Sequence, residues 1–352
     1  MYLGQENHFW ARKPSAMWLL WGVILSLWVG STVQAHAQTP SPQKNQSDQG
    51  KQVVVTLTPL ASLVRPFLQP HDQLTVLLPP GRSPHGFSFR PSQRLAIAQA
   101  DVLLSVGTGA DQWANEAFAQ ALKQRPGAQW LRMADSASVV LSKRALRPGA
   151  ADSKPPQKGA VRPAAAPKAH TPKADGHLWL SPQNAKAFID ALASQAQVLA
   201  RGRDDWEARH QDALAALAAK QQQLQHRLEP VQGVAYLVLH DAYQYFEHAF
   251  GLNFQGAVQL SPVVKPSVSH IMALRDRMQT QGIRCVFKDK QFPERQLAYV
   301  TRGLEVKTGI LDPLGHGLWP SDQAVMADTT PLPYTRLLTQ LADAFEHCLV
   351  PK

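Results

Sequence analysis

Short apolar, β-branched runs alternate with helical patterns along the chain after about residue 50. The runs at residues 52–60, 73–79 and 101–107 predict strands, and the segments at 61–68 and 90–100 predict helices between them. Strands that alternate with helices in this way are typical of parallel βα units. The pattern therefore predicts a first α/β lobe.

A stretch with six prolines and no hydrophobic period, residues 148–172, interrupts this alternation and predicts a flexible loop within about 143–174. Order resumes where Ser181 and Pro182 have the pattern of a helix N-terminus. A long Ala-, Gln- and Leu-rich helix is predicted next, and three further strand runs follow it, at residues 233–243, 283–292 and 304–315.

The predicted fold class is α/β, with two Rossmann-like lobes of parallel sheet joined by one long rigid helix. We predict an N-terminal lobe over residues 38–202, a linking helix over 203–230 and a C-terminal lobe over 231–352.

The first 37 residues have the pattern of an export signal. Arg12 and Lys13 precede an apolar stretch of 13 residues, Met17–Val29, and residues 35–37 fit a small-x-small cleavage site. Thirteen residues are few for a membrane span, which needs about 20. We expect residues 1–37 to be cleaved and, in a Gram-negative host, the protein to be soluble in the periplasm. An uncleaved N-terminal anchor is the alternative.

The net charge of +10 does not indicate nucleic-acid binding. Eight Lys and Arg residues lie within residues 143–173, so much of the excess belongs to the predicted loop. The rest of the chain is mildly basic and carries no nucleic-acid-binding motif. For the loop itself we expect a solvated tether, and docking on anionic lipid or an acidic partner is the alternative.

Cys285 and Cys348 are the two cysteines of the chain. In an oxidising compartment, an even pair is most simply one disulfide. Two free structural thiols remain an alternative.

Four side chains are candidates for a metal site because they stand at or just beyond predicted strands or after the flexible loop. They are His85, His177, His240 and Asp312. In parallel α/β sheets, ligands gather at the carboxyl ends of the strands, so these residues predict a site in the cleft between the lobes. Three imidazoles and a carboxylate suit a borderline metal such as Zn²⁺.

Five motifs resemble the periplasmic zinc-binding proteins of zinc ABC importers, the cluster A-I (cluster 9) family of metal receptors. In chain order they are SPHGFSFRPSQ, DGHLWLSP, LHDAYQYFEHAFGL, CVFKDKQF and GILDPLG. The resemblance implies zinc ligands at His85, His177 and His240, with Asp312 at a fourth position that some members leave to water. It also implies that Cys285 and Cys348 form a disulfide. Manganese-type relatives carry Glu where this chain has His240, so the resemblance favours Zn²⁺.

The same resemblance implies that the protein delivers Zn²⁺ to a membrane permease driven by a cytoplasmic ATPase. We expect a monomer and no enzymatic activity. A metal-dependent adhesin on the same fold and a zinc hydrolase are the alternatives, although no HExxH motif is present. Two features depart from the family. The loop of zinc-type members is usually rich in His and acidic residues, whereas here it contains a single histidine, His170. His316, four residues after Asp312, is not part of the family's motif and is either an alternative ligand or a surface residue.

Overall fold

The computed structural model describes residues 50–136, 138–141, 175–195, 199, 205–259 and 265–350. The first lobe contains a parallel sheet of four strands in the order β2-β1-β3-β4. Its strands are β1 (Gln52–Val55), β2 (Gln73–Val76), β3 (Val102–Ser105) and β4 (Gln129–Arg132). Its helices up to this point are α1 (Thr58–Val64), α2 (Pro91–Gln99) and α3 (Asn115–Gln124).

Among the described residues, the helices α4 (Pro182–Ser194) and α5 (Trp206–Leu228) lie between the two sheets in the sequence. Helix α4 begins as predicted, because the Ser181 side chain accepts a hydrogen bond from the Asn184 backbone N–H at 3.1 Å, with Pro182 in the first turn. Helix α5 lies within the predicted range 203–230 and ends in a 3-10 turn, Glu229–Val231.

The second lobe repeats the topology of the first, with the strand order β6-β5-β7-β8 and parallel pairing throughout. Its strands are β5 (Tyr236–His240), β6 (Phe254–Gln259), β7 (Cys285–Asp289) and β8 (Lys307–Leu311). Its helices are α6 (Gln244–Phe250), α7 (Val268–Thr280), α8 (Ala298–Thr301), α9 (Asp322–Met326) and α10 (Tyr334–Leu349). The prediction of two α/β lobes with parallel sheets is confirmed.

Three local features differ from the sequence prediction. Strands β4 and β6 were not predicted, because Gln and Arg flank the two apolar residues of β4 and Gln and Gly interrupt the apolar positions of β6. The strand predicted over 52–60 ends at Val55, because Thr58 and Pro59 form the first turn of α1, where proline's missing N–H costs no helical hydrogen bond.

Helix α5 packs against both α4 and α10 along one apolar stripe. The buried residues of the stripe recur at intervals of seven and four: Trp206, Ala213, Leu217, Leu224 and Leu228. The first end of the helix meets the N-terminal lobe, where the Phe67 and Trp206 rings lie 4.8 Å apart. At the other end, the Arg227 guanidinium donates to Asp343 at 2.7 Å and to Glu346 at 3.0 Å on α10. That α5 acts as a rigid link, and where the lobe boundaries fall, stay predictions.

Cys285 and Cys348 form a disulfide that joins the start of β7 to α10, with 5.9 Å between the Cα atoms. The predicted alternative of two free thiols is therefore wrong. The bond joins residues 63 positions apart and ties the last helix to the second sheet.

No helix in the part of the chain that the structure describes has the length and apolar character needed to cross a bilayer. The predicted signal segment 1–37 and the predicted loop 143–174 lie outside the described residues.

Replacing both cysteines by alanine should lower the free energy of unfolding by about 2–4 kcal/mol, because the unfolded chain regains the entropy of an open loop of this length. Urea unfolding followed by circular dichroism measures the change. As a control, a reducing agent should destabilise the wild type by a similar amount and leave the double variant unchanged. Equal stability of the oxidised wild type and the double variant would contradict the prediction.

Candidate metal centre

Three histidines from separate parts of the chain converge between the two sheets. His85 lies in the turn after β2, His177 immediately precedes the 3-10 turn Leu178–Leu180, and His240 is the last residue of β5. One ring nitrogen from each lies within 4.8 Å of those of the other two. The ring centroids are 5.9 Å apart for His85 and His177, 5.3 Å for His85 and His240, and 5.1 Å for His177 and His240.

A buried carboxylate orients His177. Asp175 Oδ1 lies 2.6 Å from His177 Nδ1 and also accepts the His177 backbone N–H at 3.1 Å. Since a carboxylate can only accept, Nδ1 carries the proton and Nε2 is the nitrogen with a lone pair to offer. This is the usual arrangement of a metal-ligating imidazole with an outer carboxylate.

His240 has an equivalent partner on the neighbouring strand. Its Nδ1 lies 3.0 Å from Asp289 Oδ2, and the Tyr243 hydroxyl donates to the other oxygen of Asp289. Burial and the nearby Asp289 charge raise the pKa of Tyr243 well above its usual value, so the phenol keeps the proton that it donates. The Nε2 atom of His240 is buried and has no hydrogen-bond partner among the described residues.

Parallel pairing explains why Asp289 reaches His240. Strands β5 and β7 are adjacent and run in the same direction, so His240 and Asp289, each the last residue of its strand, meet at the same sheet edge. Both side chains are almost fully buried, at 2% and 1% exposure.

Asp312 lies just beyond β8 and is buried, but the described donor atoms that lie within 4.8 Å of one another come from the three histidines alone. Its carboxylate instead closes the turn that follows β8, where it accepts the backbone N–H of Leu314 at 3.3 Å and of Gly317 at 2.8 Å. Its role as the fourth ligand stays a prediction.

The expectation that His316 lies on the surface is wrong, since the side chain is 8% exposed. Its Nδ1 accepts the backbone N–H of Gly81, in the turn that carries His85, at 2.9 Å. Burial lowers the pKa of His316, with the nearby Asp312 charge opposing that shift.

Further contacts join the two lobes beside the histidines. Trp179 Nε1 donates to the Pro313 carbonyl at 2.7 Å, and the Tyr245 hydroxyl donates to the Asp175 carbonyl at 3.0 Å. The residue that orients His177 is therefore itself held by the second lobe.

Sequence reasoning missed Asp175 and Asp289. The available signals were the DGH tripeptide, which places Asp175 two residues before His177, and the acidic residue in the predicted strand 283–292. Parallel pairing of that strand with the one that ends at His240 would have brought Asp289 beside the imidazole.

Comparison with known proteins shows the family. The family model of ZnuA, described as "Zinc-uptake complex component A periplasmic", matches residues 53–347. The high-affinity zinc uptake system protein ZnuA of Yersinia pestis is 27% identical over 299 residues, which cover 84% of this chain and 91% of that protein.

Solved structures show the same fold. The periplasmic zinc-binding protein TroA of Treponema pallidum matches with a TM-score of 0.65 and 19% identity, over 86% of this chain and 100% of that one. A zinc-bound ZnuA with residues 138–173 deleted matches with a TM-score of 0.65 and 20% identity, over 85% and 98% of the two chains.

Replacing Asp289 by Asn should weaken zinc binding about tenfold to a hundredfold, the usual effect of losing an outer partner of a ligating histidine. The amide has one accepting oxygen for two donors, His240 and Tyr243, so one hydrogen bond and the negative charge are lost. Competition with a zinc chelator measures the change. Asp276→Asn, at an exposed position on α7, is the control and should bind zinc like the wild type. Unchanged binding in Asp289→Asn would contradict the proposed orienting role.

Proposed function

The chain belongs to the ZnuA family of periplasmic zinc-uptake components, and on this premise we propose that it captures one Zn²⁺ between its lobes for import into the cytoplasm. The cluster of His85, His177 and His240 is the observation that carries the proposal. Three neutral imidazoles prefer Zn²⁺ to the oxygen-seeking ions Mg²⁺ and Ca²⁺.

The charge of the surroundings supports a divalent cation. Asp175 and Asp289 are each 1% exposed and lie behind His177 and His240. Buried carboxylates cost free energy unless positive charge compensates them. A bound Zn²⁺ supplies two positive charges to this pair through the imidazoles, so the site favours the ion over the empty state.

Transport requires a membrane partner. The family consists of the solute-binding components of ABC importers. We infer that this chain acts as a monomer and delivers Zn²⁺ to a permease subunit, and that a cytoplasmic ATPase drives the transport. The family is periplasmic. We propose in addition that residues 1–37 are the cleaved signal for export.

The family consists of solute receptors rather than enzymes, which argues against the zinc hydrolase considered from the sequence. Adhesion on the same fold remains a distinct activity. Two measurements separate import from adhesion. One is the growth of a strain that lacks the protein at limiting zinc, and the other is the binding of the protein to host ligands.

Calorimetric titration of the metal-free protein, residues 38–352, should show one tight zinc site. His85→Ala, His177→Ala and His240→Ala should each weaken binding by more than the roughly hundredfold that loss of an outer partner causes, because each removes a ligand atom. His226→Ala is the matched control, since His226 is exposed on α5 away from the cluster. Unchanged affinity in the three cluster variants would show that zinc binds elsewhere.

We also propose that Asp312 completes the coordination in the zinc-loaded protein, by exchanging its longer backbone contact, with the Leu314 N–H, for the metal while it keeps the Gly317 N–H. X-ray absorption spectroscopy of zinc-loaded wild type should then give three nitrogen ligands and one carboxylate oxygen. Asp312→Asn should weaken zinc binding and alter the oxygen shell. Identical spectra and affinities for the two proteins would assign the fourth position to water.

A further inference from the structure

His316 is unusual because its imidazole joins the two lobes without belonging to the cluster of metal-binding nitrogens. It lies in the turn after β8 in the second lobe, and its Nδ1 accepts the Gly81 N–H from the first lobe at 2.9 Å. Gly81 is four residues before His85 in the same turn. The hydrogen bond therefore connects the second lobe directly to the segment that carries one proposed ligand.

The chemistry of this hydrogen bond argues against His316 as an alternative ligand. An Nδ1 that accepts a backbone N–H has its lone pair engaged, and in the neutral ring the proton then lies on Nε2. Neither nitrogen offers a lone pair to a metal in this arrangement. His316 is also absent from the described group of donor atoms that lie within 4.8 Å of one another.

The turn that carries His85 is poor in backbone donors. Pro79, Pro80 and Pro84 have no N–H, so the Gly81 N–H is the first one after the proline pair. Gly81 has a φ of 74°, a left-handed conformation that suits glycine and that shapes the turn. The Arg82 and His85 N–H groups bond within the turn itself, to the Pro79 carbonyl and the Ser83 hydroxyl, whereas the Gly81 N–H bonds to the opposite lobe.

His85 also differs from the other two histidines in its setting. His177 and His240 are 3% and 2% exposed, and each faces a buried carboxylate. His85 is half-buried and lies in a turn rather than on a strand, so its position follows the conformation of that turn. His177 also lies outside the sheets, but Asp175 holds both its ring and its backbone N–H, so a change in the turn after β2 moves His85 alone of the three.

The second lobe presents His316 through a rigid turn. Asp312 accepts the Gly317 N–H at 2.8 Å, and Gly315 has a φ of 69°. A Cβ at Gly315 would come within 2.9 Å of the Trp319 ring, so glycine is required there. The imidazole is therefore offered to Gly81 from a fixed position.

We propose that His316 is a positioning residue that latches the His85 turn to the second lobe and so slows the release of Zn²⁺. The proposal rests on the zinc-binding function proposed above and concerns the rate of metal loss. With the latch in place, His85 stays at the cluster. Without it, the turn moves away from the cluster more often, and zinc dissociates through the two-histidine state.

Three substitutions separate the hydrogen bond from the bulk of the side chain. In His316→Asn, the amide oxygen takes the place of Nδ1 and can accept the Gly81 N–H. In His316→Gln the oxygen lies one bond further out, and His316→Leu fills the space with no acceptor. His270 is a matched control, since it is half-buried in the same lobe and its Nε2 bonds to the Ala257 carbonyl at 2.8 Å.

The first measurement is the zinc dissociation rate of the full mature protein, loaded with one equivalent of Zn²⁺ and mixed with excess chelator. His316→Gln and His316→Leu should release zinc about threefold to tenfold faster, the effect expected from one net hydrogen bond. His316→Asn and His270→Gln should release it at nearly the wild-type rate. Equal rates in all variants, or equal acceleration in His316→Asn and His316→Leu, would overturn the proposal. An affinity loss in His316→Asn as large as that in His85→Ala would make His316 a ligand instead.

The second measurement needs no zinc. Hydrogen–deuterium exchange of the peptide 78–86 in the metal-free protein should show a Gly81 amide that is protected in the wild type and in His316→Asn, and exposed in His316→Leu. Rapid exchange in the wild type would overturn the latch even if zinc binds. If the wild type binds no zinc, the proposed function fails together with the role in zinc release. If it binds zinc through the three histidines and the variants match it in rate, only the latch fails.

Discussion

The site depends on one apolar core that both lobes share. The main buried cluster runs from Val53 and Leu104 in the first sheet, through Phe188 of α4 and Leu217 of α5, to Val238 of the second sheet. In this structure the core packs the two lobes so that the carboxyl ends of both sheets face the histidine cluster. Histidines from both lobes meet in that packing, so residues far from the cleft help to set the spacing of the candidate metal site.

The buried carboxylates of the cleft contact the histidine nitrogens that face away from the centre of the cluster. Asp175 and Asp289 contact the outer nitrogens of His177 and His240, and the inner nitrogens point toward one another. This arrangement selects the tautomer of each ring before any ion arrives, which lowers the reorganisation that binding requires. It also leaves buried negative charge that a divalent cation compensates. Affinity in such a site comes from the outer carboxylates as well as from the imidazoles.

Much of the site could be predicted from the sequence, and the omissions have physical causes. His85 comes after a strong strand pattern, His240 ends another, and His177 lies in a distinctive motif. These local patterns were enough to predict all three as candidate ligands. Asp289 belongs to a neighbouring strand, and its contact with His240 depends on strand order rather than on local pattern. Strands β4 and β6 escaped prediction because Gln and Arg flank the two apolar residues of β4 and Gln and Gly interrupt the apolar positions of β6. The burial of His316 comes from contact with the opposite lobe, which no local pattern carries.

The sequence by itself determined the alternation of strands and helices, the cysteine pair available for a disulfide and the residue types suited to zinc. These properties are local, since hydrophobic period, proline placement and side-chain chemistry act within a few residues. Only the tertiary structure decided which carboxylates orient the imidazoles, that Asp312 closes a turn, and that His316 bonds to Gly81. The contact of Asp289 with His240 depends on strand order within the second lobe, and those of Asp175 and Asp312 depend on the local path of the chain. The contact of His316 with Gly81 exists only once the shared core has brought the two lobes together.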